Sequence, residues 1–292
     1  MTTVNGAAVP AARPRRARRR RRGVERKPIF AFVITGMFFF LLYLPIGAVA
    51  LFSFNGQKSL TVMKGFSLRW YRSFYHDAGL LASLRMSLEV SALATACAVL
   101  IGVALALGLV RSRGKVGSYA AFIMLVPLIT PEIVTGVGSL TLFKGIGMPL
   151  GFGTVTLAEV TFSISYVTVI LRSRVAALNP ETEEAALDLG ATRWQALRLV
   201  TLPALIPAIV ASSVLVFAMI FDDFVLAFFT TGVSPQPLAV NIYSQIRLGV
   251  QPTINAVGTL MLLGSLALIG LAIAIPRLFG SSAGGLDILT GE

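Results

Sequence analysis

The chain has 292 residues, 55% of them hydrophobic, and a mean hydropathy of +0.81. Several apolar runs are long enough to cross a bilayer, which excludes a soluble domain and predicts an all-α, polytopic membrane protein. The net charge of +12 gathers at one end, where residues 13–27 hold ten Arg/Lys and a single Glu.

Residues 1–28 are rich in Arg, with Ala and Pro and no apolar periodicity, and are expected to be a disordered cytoplasmic tail. Such a run can bind nucleic acid. Here a span follows at once, so the tail reads as a topology signal that contacts anionic lipid, and no nucleic acid is expected. The first span covers 29–52, within an anchor segment of 29–53. Ala48 and Ala50 resemble a signal cleavage site, but the apolar stretch is too long for a signal peptide, so an uncleaved anchor is predicted. Residues 54–83 are polar and aromatic. Over 65–75, Trp70, Tyr71, Phe74 and Tyr75 lie among Arg69 and Arg72, as in an interfacial helix at the outer surface. His76 is the only histidine and Cys97 the only cysteine. One of each makes no metal cluster, disulfide or Cys/His dyad. His76 reads as exposed and Cys97 as a small packing residue.

Five more spans are predicted, at 84–110, 118–143, 154–171, 204–230 and 254–276. Six spans put both termini on one side, the cytoplasm, including the C-terminal tail over 278–292. The positive-inside rule agrees: 18 of the 25 Lys/Arg fall in the predicted cytoplasmic parts and 7 in the outer parts. Between the fourth and fifth spans the loop 176–203 predicts two short helices. Asn179 is a suitable N-cap, Pro180 suits the first helical position, and Glu181, Glu183 and Glu184 fill the first turns. Gly190 ends or bends that helix. Thr192 and Gln195 form a capping box that restarts it, and Pro203 and Pro207 open the next apolar run.

The spans also carry acids. The third holds Pro127, Pro131, Gly136 and Gly138, a broken backbone tolerated only when buried in protein or lining a cavity. Glu132 lies roughly 20 Å from the inner end of that span. Glu89, Glu159, Asp222 and Asp223 lie within spans or at their outer ends. No Lys or Arg lies well inside the last five spans. A carboxylate at a helix centre costs about 2.5–3.5 kcal/mol on insertion scales, so these acids need a cavity, a partner or a cation, unless they are protonated or near a helix end. Phe221, Phe224 and Phe228 share one helix face beside Asp222 and Asp223. That arrangement suits an amine cation and serves equally as a packing stripe. Glu132, Asp222, Asp223, Phe221 and Phe224 are the candidate substrate pathway. Gly102, Gly108, Gly264 and Gly270 are expected at close helix contacts. No Walker A loop, nucleophile elbow or metal-ligand cluster is present, so no catalytic residue is assigned.

Glu184, Ala185, Ala186, Gly190, Val200, Leu202 and Pro203 carry the spacing of a family motif. They resemble the EAA loop of ABC importer permeases, with Val200 where the family usually has Ile. The resemblance implies that this loop is a coupling helix docking into a groove on a cytoplasmic ATPase. Further short motifs are Ser53–Gly56 (SFNG), 65–71 (GFSLRWY), 131–134 (PEIV), Asp222-Asp223, 242–244 (IYS) and 252–256 (PTINA). In order along residues 30–277, they are similar to the PotC/PotI-type permeases of spermidine/putrescine importers. What this implies is a type I importer permease fold (MetI-like) with six transmembrane helices and a core at 84–277, in a bacterial inner membrane. It also implies a second, PotB-like permease, two PotA-like ATPase subunits that hold ATP and Mg, and a PotD-like binding protein. No cofactor is expected in this chain. Two alternatives stay open. One is a sister branch carrying another solute, such as an amino-acid derivative, an opine or iron. The other is a self-contained cation-coupled carrier using the intramembrane acids, for which the EAA-like loop would have no use.

Overall fold

The computed structural model describes residues 29–59, 62–112, 115–249 and 251–279. The arginine-rich tail and residues 280–292 lie outside them. Among the described residues the regular secondary structure is helical, apart from one isolated bridge between Asn55 and Phe66. Among the described residues five helices are long and apolar enough to cross a membrane, and a bent pair makes a sixth crossing if it counts as one span.

The chain divides into two units, residues 1–46 and 47–292. The first holds most of α1 (Ile29–Ser53), which is apolar on every face and carries Pro45. Within it Phe39 meets Phe38 edge-on, with centroids 5.9 Å apart, and stacks on Tyr43 at 6.3 Å.

The second unit starts with a compact segment built on Asn55. Its buried amide donates to the carbonyls of Ser59 and Val62 and accepts from the backbone of Gln57 and Lys64. α2 (Arg69–His76) is a short helix within the segment expected at the outer surface. It buries Trp70 and Phe74, and the Trp70 indole donates to the Asn55 carbonyl at 2.7 Å. His76 is exposed, with its ring bonded to the Arg72 carbonyl, and Cys97 is half-buried. α3 (Ala78–Arg111) begins six residues before the predicted span, because Asp77 caps it by accepting the Leu80 amide at 3.0 Å.

α6 (Phe152–Ala176) is the central helix, packed mainly on α3 and α9 (Leu202–Asp222). A Cβ on Gly102 would come within 2.5 Å of Val167, so the α3–α6 contact depends on that glycine. Gly108, Gly264 and Gly270 face open space instead, contrary to the packing role expected of them. Spacing alone does not show which side of a helix meets a neighbour.

Two predicted spans are broken. The third is two helices, α4 (Lys115–Ile129) and α5 (Glu132–Gly145), bent by 102°. Pro131 lacks the amide hydrogen the ladder needs and disfavours helical backbone at Thr130. The fifth ends as α9 at Asp222. Asp223 is extended (φ −67°, ψ 125°), and α10 (Val225–Thr230) follows. Here the Asp223 carboxylate, not a proline, offers the backbone an alternative partner, since Oδ1 accepts the Val225 amide at 2.8 Å. A short helix that the sequence reading did not assign, α11 (Leu238–Leu248), is pinned to α3 through two serines. Ser87 Oγ accepts the Leu238 amide and Ser83 Oγ accepts from Asn241. α12 (Pro252–Phe279) completes the unit.

Candidate functional site: an acidic break and a capped loop

Two features stand at opposite ends of α9. At its start is the loop. α7 (Pro180–Asp188) begins at Asn179, whose side chain accepts the Glu181 amide at 3.0 Å. It ends in a Schellman turn: the Gly190 amide bonds the Leu187 carbonyl and the Ala191 amide bonds the Ala186 carbonyl. Gly190 has φ +91°, a conformation that costs a side-chain-bearing residue about 1–2 kcal/mol. Thr192 and Gln195 then bond reciprocally and start α8 (Arg193–Ala196). α8 runs through a π-helical turn, Leu197–Thr201, into α9, where Leu202 and Pro203 sit in the first turn. The π turn falls just before Pro203 and Pro207, where normal ladder bonds must lapse. Glu184 and Ala185 are exposed and Ala186 is half-buried. Leu189 is 90% exposed, Leu199 69% and Trp194 66%, so large apolar side chains stand out from the loop.

At the other end is the break. Asp223 Oδ2 is buried with no hydrogen-bond partner. The Glu159 carboxyl, 2% exposed on α6, lies near Asp223. Glu132, at the start of α5, is half-buried and close enough to act electrostatically on both. Three elements therefore bring three carboxyls together. No Lys or Arg pairs with them among the described residues, nor is any such group there spaced to hold a metal ion.

Asp222 does not join this cluster. It is exposed and accepts from Ser265 of α12 at 2.9 Å. The break turns adjacent aspartates to different neighbours. It also dissolves the expected phenylalanine stripe. Phe221 is buried and stacks on Phe217 at 6.3 Å, whereas Phe224 packs on Phe228 at 5.3 Å and Tyr243 at 4.7 Å. An extended residue between 222 and 224 ends the helical register that would have aligned them. Glu89, read as an acid without a counter-charge, pairs with Arg85 one turn earlier at 2.7 Å.

Sequence reasoning left Glu159 open as an acid near a helix end. The available signal was its polar surroundings, since Thr156 and Ser163 lie on the same helical face and are buried with it. Tyr243 fell within the 242–244 motif but was given no role, because its helix was not predicted.

Long apolar helices, two of them interrupted around buried acids, and a capped loop standing clear of them define a membrane transport subunit. The chain belongs to the family of binding-protein-dependent transport system inner membrane components, whose family model matches residues 98–280. It is the permease subunit of an ABC importer. It is 37% identical over 254 residues to the putrescine transport system permease protein PotI of Escherichia coli strain K12, covering 85% of this chain and 90% of that one. It is 35% identical over 248 residues to the spermidine/putrescine transport system permease protein PotC of Haemophilus influenzae, covering 85% and 95%. The fold is that of a chain in a bacterial alginate ABC transporter in complex with an alginate pentasaccharide-bound periplasmic protein. The TM-score is 0.67 at 16% identity, over 87% of this chain and 96% of that one.

Proposed function

We propose that this permease carries polyamines, spermidine or putrescine, inward. The observation that carries the reading is the unpaired acidic cluster at Glu132, Glu159 and Asp223, beside the rings of Phe224, Phe228 and Tyr243. A polyamine can exchange water for carboxylates and ring faces there, by charge and by cation–π attraction. The relatives named for putrescine and spermidine support the same solute class. The site takes part in passage, and capture belongs to a PotD-like binding protein outside the cell.

The loop with Glu184, Ala185, Ala186, Gly190, Leu202 and Pro203 is the contact for a PotA-like ATPase, into whose groove Leu189 and Trp194 insert. ATP and Mg reside on that partner, two copies of which serve this chain and a PotB-like second permease. The excess of Lys/Arg on the loop side supports a cytoplasmic loop and cytoplasmic termini.

The test is uptake of radiolabelled putrescine or spermidine into proteoliposomes holding all subunits. Asp223→Asn keeps the shape and the bond to Val225 but removes the charge. Uptake should fall by about tenfold or more, the loss of one interaction of about 1.4 kcal/mol along the pathway, with assembly and basal ATP hydrolysis intact. Glu132→Gln should act alike. Wild-type uptake in both single variants and in the double variant rejects the acidic pathway. If the wild-type complex takes up no polyamine while another receptor-bound solute stimulates it, the solute assignment is wrong.

A further inference from the structure

α7 is tied to the membrane helices by one side chain that the docking role does not use. Glu183 faces inward while Glu184 is exposed. Arg111, the last residue of α3, places Nη2 2.7 Å from both Glu183 oxygens, across 72 residues of sequence. Thr201, buried at the root of α9, donates its hydroxyl to Glu183 Oε2 at 2.9 Å. Both charges sit where helix dipoles favour them, the cation at the C-terminus of α3 and the anion in the first turn of α7. The pair borders a cavity of about 310 Å³ between Val175, Leu178, Pro180 and Val200, so packing alone does not fill this junction.

We infer that Arg111 and Glu183 are positioning residues for coupling: they clamp α7 to α3 and α9 together, so that a displacement of the loop reaches both helices. The inference rests on the proposed ATPase contact. The connectivity gives it content. Through the backbone alone, the loop's far end continues into α9, whose other end is the acidic break. Through Arg111 it also grips α3, whose Ser83 and Ser87 hold α11, and α11 carries Tyr243 against Phe224. The acidic site thus has one side at the end of α9 and another on α11, which α3 holds. With side-chain exposures of 44% for Arg111 and 29% for Glu183, the pair contributes little to stability as a surface ion pair. Its geometric role does not depend on that contribution.

The test uses the complete complex with Arg111→Gln, Glu183→Gln and Arg111→Lys. The ATPase should co-purify with all three at the wild-type ratio, and basal hydrolysis should be unchanged. In the two glutamine variants, solute transported per ATP and the stimulation by loaded binding protein should each fall at least about fivefold, the low end of a coupling free energy between sites. Arg111→Lys should keep most of both. Wild-type transport per ATP in both glutamine variants overturns the inference. Loss of the assembled complex in Arg111→Lys as well as Arg111→Gln also overturns it, by making the pair a folding element. If wild-type hydrolysis is not stimulated by any loaded binding protein, the ATPase contact itself fails and this inference falls with it.

Discussion

The two ends of α9 are built on opposite principles. At the loop end every turn is closed: Asn179 caps the start, the Schellman turn at Gly190 satisfies the last carbonyls, and Thr192 and Gln195 cap the restart. At the break end, polar groups stay unspent. Asp223 leaves one buried oxygen without a hydrogen-bond partner, and Glu159 and Glu132 stand near it with no Lys or Arg paired to them among the described residues. The 21 residues of α9 separate these regions by about 30 Å. A fully capped element keeps its shape under load, which suits a handle. An underpaired acidic break has groups free to meet a passing cation, which suits a pathway. Both lie on one helix, so under the proposed function a displaced loop is expected to disturb the break.

The largest way to break this contrast is to deform the handle. Gly190 has open space around it, so its requirement is conformational rather than steric. Gly190→Leu should distort the Schellman turn at about 1–2 kcal/mol. Stimulation of ATP hydrolysis by loaded binding protein should then drop about tenfold, with normal membrane insertion. Gly190→Asn should be milder, because Asn tolerates a positive φ. Equal stimulation in wild type and Gly190→Leu would show that the turn's shape is irrelevant to coupling.

A smaller effect is expected where α5 meets α10. A Cβ on Gly136 would lie 2.7 Å from the Phe229 ring. Gly136→Ala should force the two elements apart, at about 1–3 kcal/mol for overpacking, and spread Glu132 from Asp223. Uptake should fall severalfold, and Phe229→Leu added to it should restore part of the loss. A double variant no better than Gly136→Ala would show that the ring contact is not what spaces the acids.

The handle was legible in the sequence because its shape follows from local rules. An Asn before Pro180, a glycine after an acidic helix and a Thr192–Gln195 pair each act over a few residues. The break at Pro131 was half-legible, since the proline forbids a regular helix there but does not say how far the chain bends. The break at Asp223 was hidden. No glycine or proline marks it, and the aromatic periodicity across it reads as unbroken helix. The acidic cluster and the Arg111–Glu183 clamp were not legible as units, because tertiary packing alone brings their members together. The sequence offered Glu132, Asp222 and Asp223 alike as acids within the spans, and only the fold separates Asp222 from the other two.

That last distinction gives the smallest and sharpest test. Asp222 and Asp223 have the same side chain and adjacent positions in an apolar span, so sequence logic treats them alike. In the fold they differ in every respect that matters to a cation. Asp223 holds the backbone break with one oxygen and leaves the other buried beside Glu159. Asp222 is exposed and spends an oxygen on the Ser265 hydroxyl of α12. An asparagine at 222 still offers a carbonyl oxygen to that hydroxyl, so Asp222→Asn should keep the α9–α12 contact. Polyamine uptake should change less than about twofold, within the half kilocalorie usual for a substitution away from any special feature. Asp223→Asn in the same assay is the reference. Equal, large losses in both variants would mean that substrate senses the summed charge of the pair, and the separation of the two aspartates would carry no functional meaning. A large loss confined to Asp222→Asn would move the pathway to the α12 side of the break.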